Sequence, residues 1–257
     1  MEKLLENKTI VVAGAGGLLG TRLIPALLKQ GAHVIAADIH VEAMRERLAS
    51  LGVDLKDDKL RCCELDVTKE ESVKAFFNQQ TQQIDGAVNT TYPRNKTYGK
   101  HFFDVSLESF NENLSLHLGS AFLFTQQSAA YFKRKQQPFS LVNISSIYGV
   151  VAPKFEIYNN TPMTMPVEYA AIKSAILHIT KYAAKYVCDS RFRINCVSPG
   201  GIFDAQPSDF LEAYKANTHG SGMLEAEEMI GTILYLLSSQ SMFVTGQNII
   251  VDDGFSL

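Results

Sequence analysis

Residues Ala13 to Gly20 read AGAGGLLG, and the fold turns on which glycine pattern this is. Gly14, Gly17 and Gly20 fit the spacing GxxGxxG, whereas Leu18 stands where the alternative GxxxGxG needs its middle glycine. The stretch follows the apolar run TIVVAG and opens LGTRLIPALLKQG, whose apolar residues recur at helical spacing until Gly31. A glycine loop between strand and helix lets backbone N–H groups and the positive helix end receive a pyrophosphate, with no side chain to block its approach. Gly14, Gly17, Leu18, Leu19 and Gly20 are therefore a candidate cofactor cradle. A plain strand-to-helix turn is the alternative.

The rest of the chain follows the same rhythm. TIVVAG, HVIAAD, LRCCELD, DGAVNT, FSLVNIS, RINCVSP and QNIIVDD read as seven buried strands, each ending in polar residues. Between them lie helical patterns, among them KEESVKAFFNQQTQ and VEYAAIKSAILHITKYAAKYV. Strands separated by helices of this length imply right-handed crossovers. The predicted class is α/β: a doubly wound, Rossmann-type parallel sheet of about seven strands with helices on both faces. Its 257 residues, 46% of them hydrophobic, suit one large α/β domain over 1–257 rather than two small ones.

Composition narrows the partners. A net charge of -3, from 24 basic and 27 acidic residues well mixed, leaves no footprint for nucleic acid or an anionic membrane. With no signal-like or membrane-spanning apolar run, a cytoplasmic protein acting on small molecules is expected. Four cysteines, two of them the adjacent Cys62 and Cys63, have neither CxxC nor zinc spacing and read as reduced packing residues. The six histidines form no metal pattern, and His117 and His178, on apolar helices, read as packed with no chemistry assigned.

Ligands of such a sheet bind beyond the carboxyl ends of its strands, where the strand order reverses. Asp38 ends the second strand near the roughly 20-residue offset at which an acid meets the adenosine ribose. The alternative for Asp38 is a cap for the helix starting at Val41, and Asp66 is equally open to a capping role before the next helix. The pair Tyr-x-x-x-Lys places a phenol and an ammonium one helical turn apart, so that the cation favours the phenolate. It occurs three times. Tyr92/Lys96 sits in TYPRNK, where Pro93 disrupts a helix, and Tyr131/Lys135 sits in a basic helix end expected to face solvent. Only Tyr169/Lys173, at the start of a long apolar helix between NISSIYG and RINCVSPG, has an active-site address.

With these residues in view, the chain resembles the short-chain dehydrogenase/reductase superfamily over essentially its whole length. The resemblance implies that Tyr169 is the catalytic acid/base, that Lys173 lowers its pKa and holds the nicotinamide ribose, that Ser146 orients the substrate oxygen, and that Asn113 in NENL supports a proton relay. DVT resembles the adenine-contacting segment and implicates Asp66 and Val67. SPGGI resembles the nicotinamide segment and implicates Pro199, Gly200 and Ile202, and Asn89 matches the first Asn of the family's NNAG. The GxxGxxG spacing itself resembles the extended branch, whose separate C-terminal substrate region cannot fit after Gly200, while VTGQNIIVDDG resembles the last strand of the compact single-domain branch. The architecture thus follows the compact branch with a variant loop. Departures from the family pattern are Ala13 and Asp204 in place of Thr, NTTY in place of NNAG, and Asp253 in place of Gly.

The span from Ser146 to Tyr169 is longer than the compact branch commonly uses. Its extra chain, APKFEIYNNTPMTMP within about 150–168, is expected to loop over the site mouth, with a lid at about 202–224; a functionless surface loop is the alternative. With NTTYPRNKTYGKHFFD and SPGGIFDAQP, these segments look similar to bacterial flagellin-modification oxidoreductases, associated with legionaminic-acid and related sugar biosynthesis. Asp38, followed by Ile39 and His40 and no Arg, favours NAD over NADP. Arg94, with Lys96 or Lys154, is a candidate anion contact and Tyr148 a further substrate contact, so an anionic hexose derivative is expected; a solvated basic loop is the alternative. The leading reading is an NAD-dependent sugar or polyol dehydrogenase, homodimeric or homotetrameric. A catalytically silent dinucleotide sensor or scaffold and a nucleotide-sugar epimerase are its rivals.

Overall fold

The computed structural model describes residues 3–257. Seven strands, β1 (Thr9–Ala13), β2 (His33–Asp38), β3 (Leu60–Glu64), β4 (Gly86–Asn89), β5 (Phe139–Ile144), β6 (Phe192–Pro199) and β7 (Asn248–Val251), form one sheet in the order β3-β2-β1-β4-β5-β6-β7. Every pairing is parallel. The chain builds outward from β1 through β2 to β3, then returns to lay β4 on the other side of β1. The crevice of this doubly wound sheet therefore opens beyond Ala13 and Asn89, which are register partners.

Side chains of β1 divide by period two. Ile10 and Val12 point into one core with Leu23, Ile24 and Leu27 of helix α1 (Leu18–Lys29), Leu48 of α2 (Val41–Ser50), and Ile233 and Leu236 of α8 (Ile230–Leu237). Val11 and Ala13 point into the other, against Phe76 and Phe77 of α3 (Glu70–Asn78) and Phe124 and Phe132 of α5 (Gly119–Lys135). α6 (Val167–Val187) completes that second layer. The short α4 (Leu107–Asn113) runs into α5 through a π-helical turn, Leu114–Leu118.

Several expectations are corrected. β3 and β7 are only partly buried, because each lies at a sheet edge with one neighbour. The Tyr131 ring is in the core rather than in solvent: its hydroxyl accepts the Ile84 N–H at 2.8 Å, while Arg134 and Lys135 spread their charged ends over it. His178 is exposed, since the apolar face of α6 turns elsewhere, and Cys188 is an exposed thiol at the end of that helix rather than a packing residue. All four cysteines are free. No helix among the described residues is long and apolar enough to cross a membrane, and none of their His, Cys, Asp and Glu side chains group as metal ligands.

Candidate active site

A cleft of about 620 Å³ lies over the crevice and joins the glycine loop to the Tyr169 pair. Gly14 has φ +80° and packs so close to the next strand end that a Cβ there would stand 3.0 Å from the Thr90 carbonyl carbon. Gly20 is tighter still, for a Cβ would strike the Gly14 carbonyl and lie 2.8 Å from Ala15 Cα. Gly17 is the N-cap of α1 and brings no side chain, and the first turn holds no acid, so its amide groups face the cleft uncompensated. Such a cradle fits a pyrophosphate. Gly14, Gly17, Leu18 and Leu19 border the cleft, whereas Gly20 sets how closely α1 approaches the loop.

Asp38 also borders the cleft, and its carboxylate braces the loop. Oδ2 accepts the Gly16 N–H at 2.9 Å and Oδ1 accepts the His40 N–H at 3.0 Å. The α2 cap position belongs to His40, so capping is not the role of Asp38. Nor does Asp66 cap α3, whose N-cap is Lys69. Burial presses the Asp66 carboxyl upward, but the hydroxyl and amide of Thr68 and the Lys69 ammonium hold it below the ordinary carboxylate range. Asp66 and Val67 line the same wall of the cleft.

Asn89 lies just behind the wall, where its Oδ1 accepts the amide and hydroxyl of Thr91 and shapes the turn carrying Thr90 to Arg94. Thr90, in place of a family Asn, donates its hydroxyl to the carbonyls of Ala13 at 2.8 Å and Gly14 at 3.1 Å and so ties β4 to the glycine loop. Pro199, Ile202 and Asp204 close the far side. Gly200 stands back from it, donating to the Val251 carbonyl.

At the other end lie Tyr169 and Lys173, one turn apart on α6. Lys173 Nζ donates to the Ile144 carbonyl at 2.9 Å and lies 5.4 Å from the Tyr169 ring centroid. Burial pushes this ammonium down to about 8. Burial raises the Tyr169 phenol, and the Ser146 hydroxyl beside it pulls the other way. Ser146 also accepts the Tyr148 N–H at 3.2 Å, while Ser145 donates to the Lys173 carbonyl at 2.8 Å and clamps β5 to α6. Asn113 is fully buried and spent elsewhere: Nδ2 donates to Asn95, to the Ser109 carbonyl and, at 3.4 Å, to Glu168, and Oδ1 accepts the Asn95 N–H at 3.0 Å. It braces the loop that carries Tyr92.

Tyr92, which Pro93 keeps from being a helical partner of Lys96, forms part of the cleft, its ring edge-on to Tyr169 with centroids 5.7 Å apart and its hydroxyl bonded to Tyr98. Burial raises its phenol, so it carries a proton rather than takes one. The signal that could have found it is Tyr92-Pro93 directly after a strand end. Arg94 borders the cleft with its guanidinium 4.8 Å above the Tyr92 ring, but Lys96 is exposed outside it.

The segments expected to be an insertion and a lid pack on each other, and of their residues only Ile202 and Asp204 border the cleft. A 3-10 turn, Phe155–Tyr158, packs on α7 (Ser208–Lys215), and Tyr148, Tyr158, Phe210, Tyr214 and Phe255 form one buried cluster. Lys154 is engaged here: Nζ donates to the Phe255 carbonyl at 3.0 Å and sits 4.6 Å over its ring. Tyr148 is likewise buried, 3.4 Å from the Tyr158 hydroxyl.

Residues 19–256 match a family model described as enoyl-(acyl carrier protein) reductase. The chain is 41% identical to post-translational flagellin modification protein A of Campylobacter coli, over 99% of this chain and 100% of that protein. It is 30% identical to 2,5-dichloro-2,5-cyclohexadiene-1,4-diol dehydrogenase of Sphingobium indicum, over 98% of each. Among solved structures, a short chain dehydrogenase from Leptospira borgpetersenii serovar Hardjo-bovis with bound NAD+ superposes with a TM-score of 0.85 at 31% identity, covering 98% of this chain and 94% of that one.

The depressed Lys173 ammonium sets a pH signature. Between about 8 in the folded protein and the ordinary 10.5, the unfolded chain holds a proton that the folded chain has released, so stability gains as pH rises through that window. Relative to Lys173→Met, the wild type should therefore gain up to about 1.4 kcal/mol per pH unit there, measured by urea unfolding. A flat difference would show that Lys173 titrates as it does when unfolded.

Proposed function

The chain belongs to the short-chain dehydrogenase/reductase family, and on that premise we propose that it moves hydride between NAD and a hydroxyl or ketone carbon of an anionic sugar or polyol in bacterial surface-sugar synthesis. The observation that carries this reading is that one cleft holds both a dinucleotide cradle and a phenol–ammonium pair. Bound nicotinamide supplies the hydride acceptor or donor. In the oxidising direction Tyr169 takes the hydroxyl proton, Ser146 orients the substrate oxygen, and Lys173 favours the phenolate and holds the nicotinamide ribose. Asp66 and Val67 would flank the adenine end and Pro199 and Ile202 the nicotinamide end.

The preference for NAD rests on Asp38, whose carboxylate keeps lone pairs for ribose hydroxyls and repels a 2′-phosphate. Arg47, one of two arginines on the neighbouring helix, donates to the Gly16 carbonyl at 2.7 Å. The Leptospira relative was solved with NAD+, and the name of the Campylobacter relative supports a surface-sugar role. Anion recognition falls to Arg94, since Lys96 lies outside the cleft and Lys154 is held by Phe255. The silent sensor is disfavoured because a protein that only binds a dinucleotide has no need for the Tyr169 phenol beside the Ser146 hydroxyl.

Self-association belongs to the same reading. Phe122 on α5 and the stacked Tyr182 and Tyr186 on α6 are 50%, 65% and 69% exposed, an apolar surface suited to meet a copy of the chain.

Four measurements test these assignments. Tyr169→Phe should cut turnover by about 100- to 10,000-fold with NADH binding nearly unchanged, and Asp38→Ala should relax the NAD preference; undiminished turnover in the first or equal efficiency with NADP in the wild type would reject them. Arg94→Ala should raise KM for a sugar phosphate or sugar acid far more than for the neutral parent, and equal KM values in both proteins would remove the anion. Sedimentation equilibrium should give a dimer or tetramer that Tyr182→Glu weakens, whereas a concentration-independent monomer would reject the interface.

A further inference from the structure

Seven of the eight arginines meet a carboxylate or carbonyl oxygen. Arg94 makes no ion pair and no hydrogen bond among the described residues, although Asp38, Asp66 and Asp204 border the same cleft. What orients its guanidinium is an aromatic face, for Cζ stands 4.8 Å from the centroid of the Tyr92 ring. A cation over a ring is attracted by the ring quadrupole and keeps its N–H groups for another partner. The backbone is fixed on both sides of Arg94. Thr91 donates its amide and hydroxyl to Asn89, Pro93 restricts φ, and Asn95 pairs reciprocally with Asn113, its N–H donating at 3.0 Å and its Oδ1 accepting at 3.1 Å.

The ring that carries this cation is itself held at its rim. Its hydroxyl bonds to that of Tyr98, and it meets His117 at 4.9 Å and Tyr169 at 5.7 Å, both edge-on. Lys173 Nζ lies 5.7 Å from the same centroid. A single aromatic ring therefore separates the guanidinium from the phenol–ammonium pair. At 37% exposure, part of that ring stays open beside the cleft it borders. The glycine of the family's NNAG would supply no such surface.

We propose that Tyr92 is a positioning residue for substrate selection: its ring holds Arg94 as a preformed anion clamp and sets the distance between the substrate's charged group and the carbon that reacts at Tyr169. This rests on the anionic-substrate reading above. An Arg side chain free in solvent gives up rotamer freedom when it binds an anion, whereas one already laid on a ring has given it up beforehand. The substrate class that fits is a compact sugar acid or sugar phosphate. Its carboxylate or phosphate lies within about one sugar ring of the reacting hydroxyl and is held bidentately by the planar fork. Tyr92 acts through Arg94.

The test titrates inorganic phosphate by calorimetry into NADH-saturated protein, in which the pyrophosphate cradle is already filled. It compares the wild type, Tyr92→Phe, Tyr92→Leu, Arg94→Ala and the Tyr92→Leu/Arg94→Ala double variant. Tyr92→Leu should weaken phosphate binding about 2- to 30-fold, the range of a cation–π contact, while Tyr92→Phe, which keeps the face, should stay within about 2-fold of the wild type. In the Arg94→Ala background Tyr92→Leu should change nothing further, whereas a merely structural ring would lower affinity in both backgrounds. In turnover, Tyr92→Leu should raise KM for a sugar phosphate or sugar acid by a similar factor and KM for the neutral parent less. Proton NMR of the wild type should show the Arg94 side-chain signals, identified by their loss in Arg94→Ala, shifted upfield by the ring. The proposal is overturned if Tyr92→Leu keeps wild-type phosphate affinity, if its loss is the same with and without Arg94, or if the Arg94 signals sit at their ordinary positions. Should Tyr92→Leu not fold, the NMR signals decide. A wild type that binds no phosphate, or an Arg94→Ala variant that binds it equally well, would reject the anion reading and the clamp with it. Absence of NAD-linked turnover, with the phosphate results as expected, would reject the oxidoreductase reading and leave the clamp standing.

Discussion

Helix α1 can approach the end of β1 only because Gly20 has no side chain. Any Cβ there would collide with the Gly14 carbonyl and the Ala15 backbone. That approach aims the helix axis at the crevice and places its first amide groups where an anion can reach them. The neighbouring strand ends lock the arrangement: Asp38 at the end of β2 holds Gly16, and Thr90 after β4 holds Ala13 and Gly14. Three successive strand ends thus converge on one small loop.

The chemistry is assembled on the other side of the crevice by the same device. Ser145, at the end of β5, donates to the Lys173 carbonyl, and Lys173 returns a hydrogen bond to the Ile144 carbonyl. This reciprocal pair fixes the height of α6 against the sheet and so the position of Tyr169. The cost is a buried ammonium, visible in its depressed pKa. A group poised near neutral pH beside a phenol suits proton transfer better than it suits stability.

What the sequence discloses is what depends on neighbours in the chain. The alternation of strand and helix, the helical boundaries of Val167–Val187 and the placement of Tyr169 and Lys173 follow from local period and spacing, and the structure repeats them. The failures concern partners far away in sequence. Tyr131 reads as surface because three cations follow it, but its hydroxyl finds the Ile84 amide 47 positions earlier. Lys154 reads as a free cation and is held by Phe255, 101 positions later. The chemical role of a residue is legible when its partner is one turn away and hidden when the partner arrives through the fold.

The buried cluster around Phe255 constrains how this end of the chain can change. Phe255 stacks on Tyr214 with centroids 4.5 Å apart, meets Tyr148 edge-on and holds Lys154, so the insertion, α7 and the turn after β7 share one aromatic keystone. Replacing the insertion alone would leave Phe255 and Tyr214 facing a void, and replacing α7 alone would do the same to Tyr158. The three segments therefore form one cassette in separate pieces. Exchanging one of them without the others would open a gap in this packing, while the sheet, the glycine loop and the Tyr169 helix beneath stay as they are.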